Sequence, residues 1–155
     1  MIERFIEFTS NISQAYKHII RIKSAKMADY GLKASHVMCL FYLGKNPGGL
    51  TAGELITLCR EDKAGISKCL NELKKQRLIE IDDDNGARKY RAKYRITPEG
   101  AAIFDEISGI IVNVVEKCGA DLTEEERAIF YRSLGTIVRN LEKISSEMET
   151  IDACD

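Results

Sequence analysis

Two helix starts lie close together near the middle of this 155-residue chain, and little else in it narrows the choice of fold so sharply. Thr51-Ala52-Gly53-Glu54 places a hydroxyl where it can accept from the first free amides. The glutamate three residues on can reach back to the cap's own N–H. A helix is predicted from Thr51, with Leu55, Ile56 and Leu58 as its apolar positions and Cys59 as its end. Arg60-Glu61-Asp62 breaks the pattern and offers Asp62 as a second N-cap. A second helix then runs from Lys63 to about Gln76. Its residues Ile66, Cys69, Leu70 and Leu73 recur at spacings of three and four and turn inward. Lys63, Gly65, Ser67 and Lys68 look outward near its N-terminus. Helices so closely joined form a helix-turn-helix pair.

A hairpin follows at once. Leu78-Ile79-Glu80-Ile81 leads through Asp82-Asp83-Asp84 to Asn85-Gly86, two residues that tolerate the positive φ of a tight turn. The returning strand, Arg88 to Ile96, alternates so that Arg91, Lys93 and Arg95 share one face, opposite Tyr90, Ala92, Tyr94 and Ile96. Three successive outward cations suit an anionic partner. An edge strand kept soluble by its Lys and Arg residues is the plainer reading, and the helix pair immediately upstream weighs against it.

The string Asp62-Lys63-Ala64-Gly65-Ile66-Ser67-Lys68-Cys69-Leu70, continuing as Leu73-Lys74-Lys75-Gln76-Arg77-Leu78-Ile79, resembles the recognition helix of the MarR family of bacterial winged-helix transcription regulators. Ile96-Thr97-Pro98-Glu99-Gly100 resembles the point where that family closes the wing and begins the next helix. Chain length and helix order also fit, so the likeness covers nearly the whole sequence. There are two departures. Gln76-Arg77 stands where the family usually has Lys-Gly, and Asn85-Gly86-Ala87-Arg88-Lys89-Tyr90-Arg91 lacks the Asp-x-Arg signature of the wing. Either Arg88 or Arg91 is then the residue that enters a minor groove.

Charge is distributed as that resemblance implies. Residues 1–62 carry a net +2, residues 63–97 a net +5, and residues 98–155 a net −8. The positive charge is concentrated in the helix-and-hairpin segment, the footprint expected of phosphate contacts, despite a whole-chain charge of −1. The chain length fits a single domain, 1–155, and no stretch approaches the ~20 apolar residues of a membrane span. The N-terminus lacks signal-peptide architecture, so a cytoplasmic location is expected. Cys39, Cys59, Cys69, Cys118 and Cys154 contain no C-x-x-C pair and are expected as free thiols, the first three on buried helical stripes. The redox-sensing branch of the family carries its reactive cysteine in the N-terminal helix, which has none here.

Flanking helices complete the plan. Ile2, Phe5, Ile6, Ile12, Tyr16, Ile19, Ile20 and Ile22 recur at helical spacing in a helix ending near Tyr30-Gly31. A short helix is predicted from Leu32 to Leu43, stopped by Asn46-Pro47-Gly48-Gly49. Pro98 opens a long helix through Val115, and Thr123-Glu124-Glu125-Glu126 is a capping box that opens the last one. The fold class expected is mainly α (α+β), a winged helix-turn-helix over 32–100 with dimerisation helices at 1–30 and 101–150. These terminal stripes exceed what a winged helix of roughly 70 residues can cover, so a two-fold homodimer is expected; packing of the two helices on each other within one chain is the alternative.

The resemblance implies sequence-specific binding of double-stranded DNA, with repression the expected mode of regulation. Ser67 and Lys68, beside Gly65, would lie nearest the base edges, with Thr51 and Lys63 at phosphates and Arg88, Lys89, Arg91 and Lys93 in the wing. It also implies a small-molecule effector in a crevice involving Tyr16, His18 and Met38. No cofactor or metal is expected: His36 and Cys39 supply two ligands, and two make no site alone. With two histidines and no catalytic motif around either, an enzyme is not expected. The alternative functions are a winged-helix protein-interaction module and a DNA-binding protein that senses nothing.

Overall fold

A computed structural model describes residues 1–82 and 92–152. The helices are α1 (Ile2–Ala28), α2 (His36–Lys45), α3 (Ala52–Cys59), α4 (Lys63–Lys75), α5 (Pro98–Cys118) and α6 (Glu124–Asp152), with strands β1 (Leu50–Thr51), β2 (Ile79–Asp82) and β3 (Lys93–Ile96). The fold is mainly helical with a small antiparallel sheet, a winged helix with long terminal helices. Residues Met1–Ile110 and Ile111–Asp155 form two compact units.

The caps form as the residue types dictate. Thr51 Oγ1 accepts from the Glu54 amide at 3.2 Å, and the Glu54 carboxylate accepts from the Thr51 amide at 2.7 Å. Both halves of a capping box are therefore present. Asp62 accepts from the Gly65 amide at 2.6 Å, and Thr123 and Glu126 repeat the box at the start of α6. Arg60 closes α3 in the left-handed region (φ 54).

The core of the first unit sits where α2, α3 and α4 cross. Leu40, Leu43, Leu55 and Leu73 have no exposed surface, and Ile66, Cys69 and Leu70 are buried beside them. Each buried aliphatic chain contributes roughly 1.5–3 kcal/mol of transfer free energy, so this crossing anchors the helix-turn-helix. The stripe predicted for α4 is the face that packs inward.

Three details differ from the sequence reading. The helix expected from Leu32 begins at His36, because a turn in which the His36 amide donates to the Lys33 carbonyl precedes it. Thr51, expected as a helix cap, also belongs with Leu50 to a strand that pairs with β3, with Leu50 opposite Tyr94 and Thr51 opposite Lys93. Leu58, taken as an apolar packing position of α3, remains 38% exposed. The sheet order is β1-β3-β2. The described part of β3 alternates as expected, Lys93 and Arg95 exposed, Tyr94 and Ile96 half-buried. The Asn85-Gly86 turn falls outside the described residues.

Two glycines permit close approach. A Cβ on Gly100 would meet the Leu78 carbonyl oxygen at 2.1 Å, so only glycine lets the first turn of α5 lie against the chain leaving α4. Thr97 Oγ1 seals that junction, donating to the Arg77 carbonyl at 2.8 Å and accepting from the Gly100 amide at 3.1 Å. A Cβ on Gly44 would stand 2.5 Å from the Phe104 ring, which packs against Phe41 at 6.1 Å between centroids.

Among the described residues no helix is long and apolar enough to cross a membrane. Much of α1 remains uncovered, with Phe5 60% and Tyr16 64% exposed. In the second unit Phe130, Leu141, Ile144 and Met148 of α6 are exposed as well.

Candidate nucleic-acid interface

The outward face of α4 follows from its inward one. With Ile66, Leu70 and Leu73 buried, residues 63, 67 and 71, four apart, line the side that looks toward β3. Lys63, Ser67 and Asn71 form one wall of a groove of about 490 Å³ whose other walls include Thr51, Gly53 and Tyr94. The groove thus lies between the N-terminal half of α4, the start of α3 and the sheet.

Ser67 and Lys68, read together as the residues nearest the bases, point to different places. Ser67 faces the groove, whereas Lys68 borders a smaller cavity of about 120 Å³ with Lys33, Glu61 and Glu72. Neighbours on a helix point about 100° apart, so they do not face one way. Asn71 is the residue the sequence reading missed. Its signal was available: it lies four residues beyond Ser67 and eight beyond Lys63 on an exposed polar face.

Thr51 and Gly65 sit at helix starts as expected, but their polar groups have internal partners. The Thr51 hydroxyl also donates to the Glu54 carboxylate at 2.8 Å, and the hydrogen bonds from Thr51 hold the Glu54 carboxyl below its ordinary range. The Gly65 amide belongs to Asp62, and a Cβ there would come within 3.3 Å of the Asp62 carboxylate. Gly65 makes room for the cap. Lys63 is exposed at the first position of α4, and Lys93 is exposed on β3, paired in register with Asp82. Arg88, Lys89 and Arg91 lie outside the described residues.

Tyr16 and His18 are exposed on α1, and Met38 is half-buried on α2. None of the three lines either cavity described above.

His36 is only 1% exposed and both ring nitrogens are engaged. Nδ1 accepts from the Lys33 amide at 2.9 Å, and Nε2 lies 2.8 Å from the Glu72 carboxylate on α4. Lys33 Nζ meets the other Glu72 oxygen at 2.7 Å. Burial holds the imidazole pKa below its ordinary value, outweighing the hydrogen bond to Glu72. The neutral ring therefore donates from Nε2 and pins α4 to the start of α2. Cys39, the other metal candidate, has its sulfur 3.8 Å from that of Cys59. Among the described residues no three His, Cys, Asp or Glu side chains are grouped to hold a metal ion.

Over residues 30–89, which carry the helix-turn-helix, the chain matches the MarR family model. Over that segment the chain is similar to the MarR family. Solved structures share the fold over most of their length. Staphylococcus aureus MepR in complex with DNA is 18% identical, with a TM-score of 0.78 and coverage of 86% of this chain and 96% of that one. A Peptoclostridium difficile MarR protein is 20% identical, with a TM-score of 0.78 and 88% of each chain covered. Bordetella bronchiseptica BpsR, a protein whose DNA binding is regulated by 6-hydroxynicotinic acid, is 17% identical, with a TM-score of 0.71 and coverage of 85% and 98%. No curated protein matches the chain in sequence. At these identities the likeness to the solved structures is one of fold.

Proposed function

We propose that this chain is a cytoplasmic, sequence-specific regulator of transcription that binds double-stranded DNA as a homodimer and represses from a pseudo-palindromic operator. The observation that carries the reading is the exposed Lys63-Ser67-Asn71 face of α4 beside a basic β3, within a segment of net charge +5. An α-helix fits the major groove, where an Asn side chain can make paired hydrogen bonds to adenine and a Lys can reach guanine. Lys63 and Lys93 serve phosphates. Arg88, Lys89 and Arg91, between β2 and β3 in sequence, serve the minor groove. Two copies of α4 related by a two-fold axis enter successive major grooves about 34–36 Å apart.

The fold shared with a DNA-bound MepR supports this reading. That BpsR responds to a small aromatic acid supports a small-molecule effector here too, and Tyr16, His18 and Met38 are the residues proposed to meet it.

Selection of bound sequences from a random duplex pool tests the proposal. A palindromic consensus with half-sites one helical turn apart is expected. On that DNA, Asn71→Ala should cost about 1–3 kcal/mol and relax preference at one position per half-site. Lys63→Ala should weaken all sequences alike and lower the salt slope by about one per phosphate lost. Binding without sequence preference, or no binding at moderate salt, would overturn the proposal.

A further inference from the structure

The turn that leads into α4 starts beside a pair of thiols from different helices. Cys39 of α2 is 1% exposed, and its sulfur lies 3.8 Å from that of Cys59, the last residue of α3, which is half-buried. Both are free thiols. Cys69 of α4 is buried nearby, its sulfur 3.9 Å from the Ser35 carbonyl oxygen. Sulfurs in contact across two helices are within reach of a covalent bond, since forming one at ~2.05 Å needs a closing movement of roughly 1.8 Å.

The two sides of the pair differ in freedom to move. Cys39 stands beside Leu40 on a helix whose Leu40 and Leu43 have no exposed surface. Cys59 ends its helix, and the next residue, Arg60, is already in the left-handed region at φ 54. Closing the gap therefore draws in the end of α3, and with it the turn 60–62 that carries the Asp62 cap of α4.

We propose that Cys39 and Cys59 are a redox pair, oxidised by a low-molecular-weight disulfide to a Cys39–Cys59 bond that displaces this turn and weakens DNA binding. The effect on DNA rests on the function proposed above; the bond itself does not. Cys59, the more accessible sulfur, attacks as its thiolate. The small S–S bond breaks, and the first small thiolate leaves, taking up the proton that Cys59 released. Cys39 then attacks the Cys59 sulfur, and the second small thiolate leaves with the proton of Cys39. Two protein thiols are oxidised by two electrons, and one small disulfide is reduced to two thiols.

The surroundings set the threshold. A hydrogen bond with Cys59 lowers the Cys39 pKa, but pairing with Cys69 and burial outweigh it and push the thiol up to about 12. The hydrogen bond to Cys39 and burial raise Cys59 as well. Both thiols are protonated at neutral pH, so the pair ignores a mild challenge, and its oxidation accelerates as pH rises.

Trypsin separates the three cysteines into peptides 34–45, 46–60 and 69–74, so the bond can be read directly. The full chain is treated with oxidised glutathione at two pH values, remaining thiols are alkylated, and the unreduced digest is weighed. The expected product is 34–45 joined to 46–60, formed faster at the higher pH, absent from Cys59→Ser and retained in Cys69→Ser. Affinity for the selected duplex should fall on the order of tenfold on oxidation, recover with dithiothreitol, and stay constant in Cys59→Ser. Mixed glutathione disulfides alone, or a link through 69–74, would overturn the pair. Complete linkage with unchanged affinity would overturn the switch. A reduced protein with no DNA affinity would count against the function proposed above, while the peptide result would still decide the bond.

Discussion

His36 shows how one side chain can tie α4 to the core. Its ring accepts from the Lys33 amide and lies against Glu72 of α4 with only 1% of its surface exposed. Protonating Nδ1 would set two donors against each other, and burial disfavours the cation, so the folded pKa lies below the ordinary value. The sign follows from linkage. A histidine with a depressed pKa contributes its full stability above the unfolded value near 6.5 and loses it as pH falls from there through the folded value. Glu72, held low by Lys33 and then by His36, loses its contribution in a lower window, below the ordinary carboxylate range. Unfolding free energy from urea titrations should therefore decline between pH 7.5 and pH 5 in the natural chain, more steeply than in His36→Gln. Equal slopes would show that His36 does not titrate in this range, whatever the two proteins' absolute stabilities.

At the scale of elements, the caps and the close approach at α5 set the geometry of the winged helix. Gly53 and Gly100 make opposite predictions. A methyl at Gly53 on α3 meets nothing nearer than the Thr51 hydroxyl at 4.0 Å, so Gly53→Ala should stabilise the domain by about 0.5–1 kcal/mol through helix propensity. At Gly100 the same methyl would enter the Leu78 carbonyl, so Gly100→Ala should destabilise by roughly 1–3 kcal/mol. Thermal unfolding of the two variants reads both signs, and a neutral Gly100→Ala would mean that α5 is free to move off Leu78. The helix starts were legible beforehand because a cap acts within four residues, as Thr51 with Glu54 and Asp62 with Gly65 do. Strand β1 was not, because two residues carry no periodicity and Leu50 pairs with Tyr94 only after the chain has returned from the hairpin. The start of α2 was misread for a similar reason: the His36 ring caps the Lys33 amide, which no propensity signals.

At the scale of the molecule, large apolar side chains remain uncovered on the terminal helices. Phe5 and Tyr16 on α1 and Phe130, Ile144 and Met148 on α6 are about half exposed or more. Leaving so much apolar surface in water is unfavourable by roughly 25 cal/mol per Å², which is the basis for the homodimer proposed above. Sedimentation equilibrium should give twice the 17.4-kDa chain mass at micromolar concentration. Ile144→Glu combined with Phe5→Glu should shift it to one chain and abolish operator binding without unfolding the winged helix. A monomeric natural chain at that concentration would remove the symmetric operator from the proposed function.

Local patterns were enough to establish the order of the elements, the caps, the inward stripe of α4 and the basic character of the segment that follows it, because each depends on residues a few positions apart. The sequence also marked Lys63 and Ser67 as outward. Tertiary structure decided what lies across from what: Asn71 joins Ser67 in the groove while Lys68 turns toward Glu61 and Glu72. It also showed that Thr51 and Gly65 are committed to caps. Two cysteines twenty positions apart meet at 3.8 Å, and His36 reaches a glutamate thirty-six positions on. Such meetings depend on how helices cross, and the crossing is set by the summed packing of Leu40, Leu43, Leu55 and Leu73 rather than by any short stretch of chain.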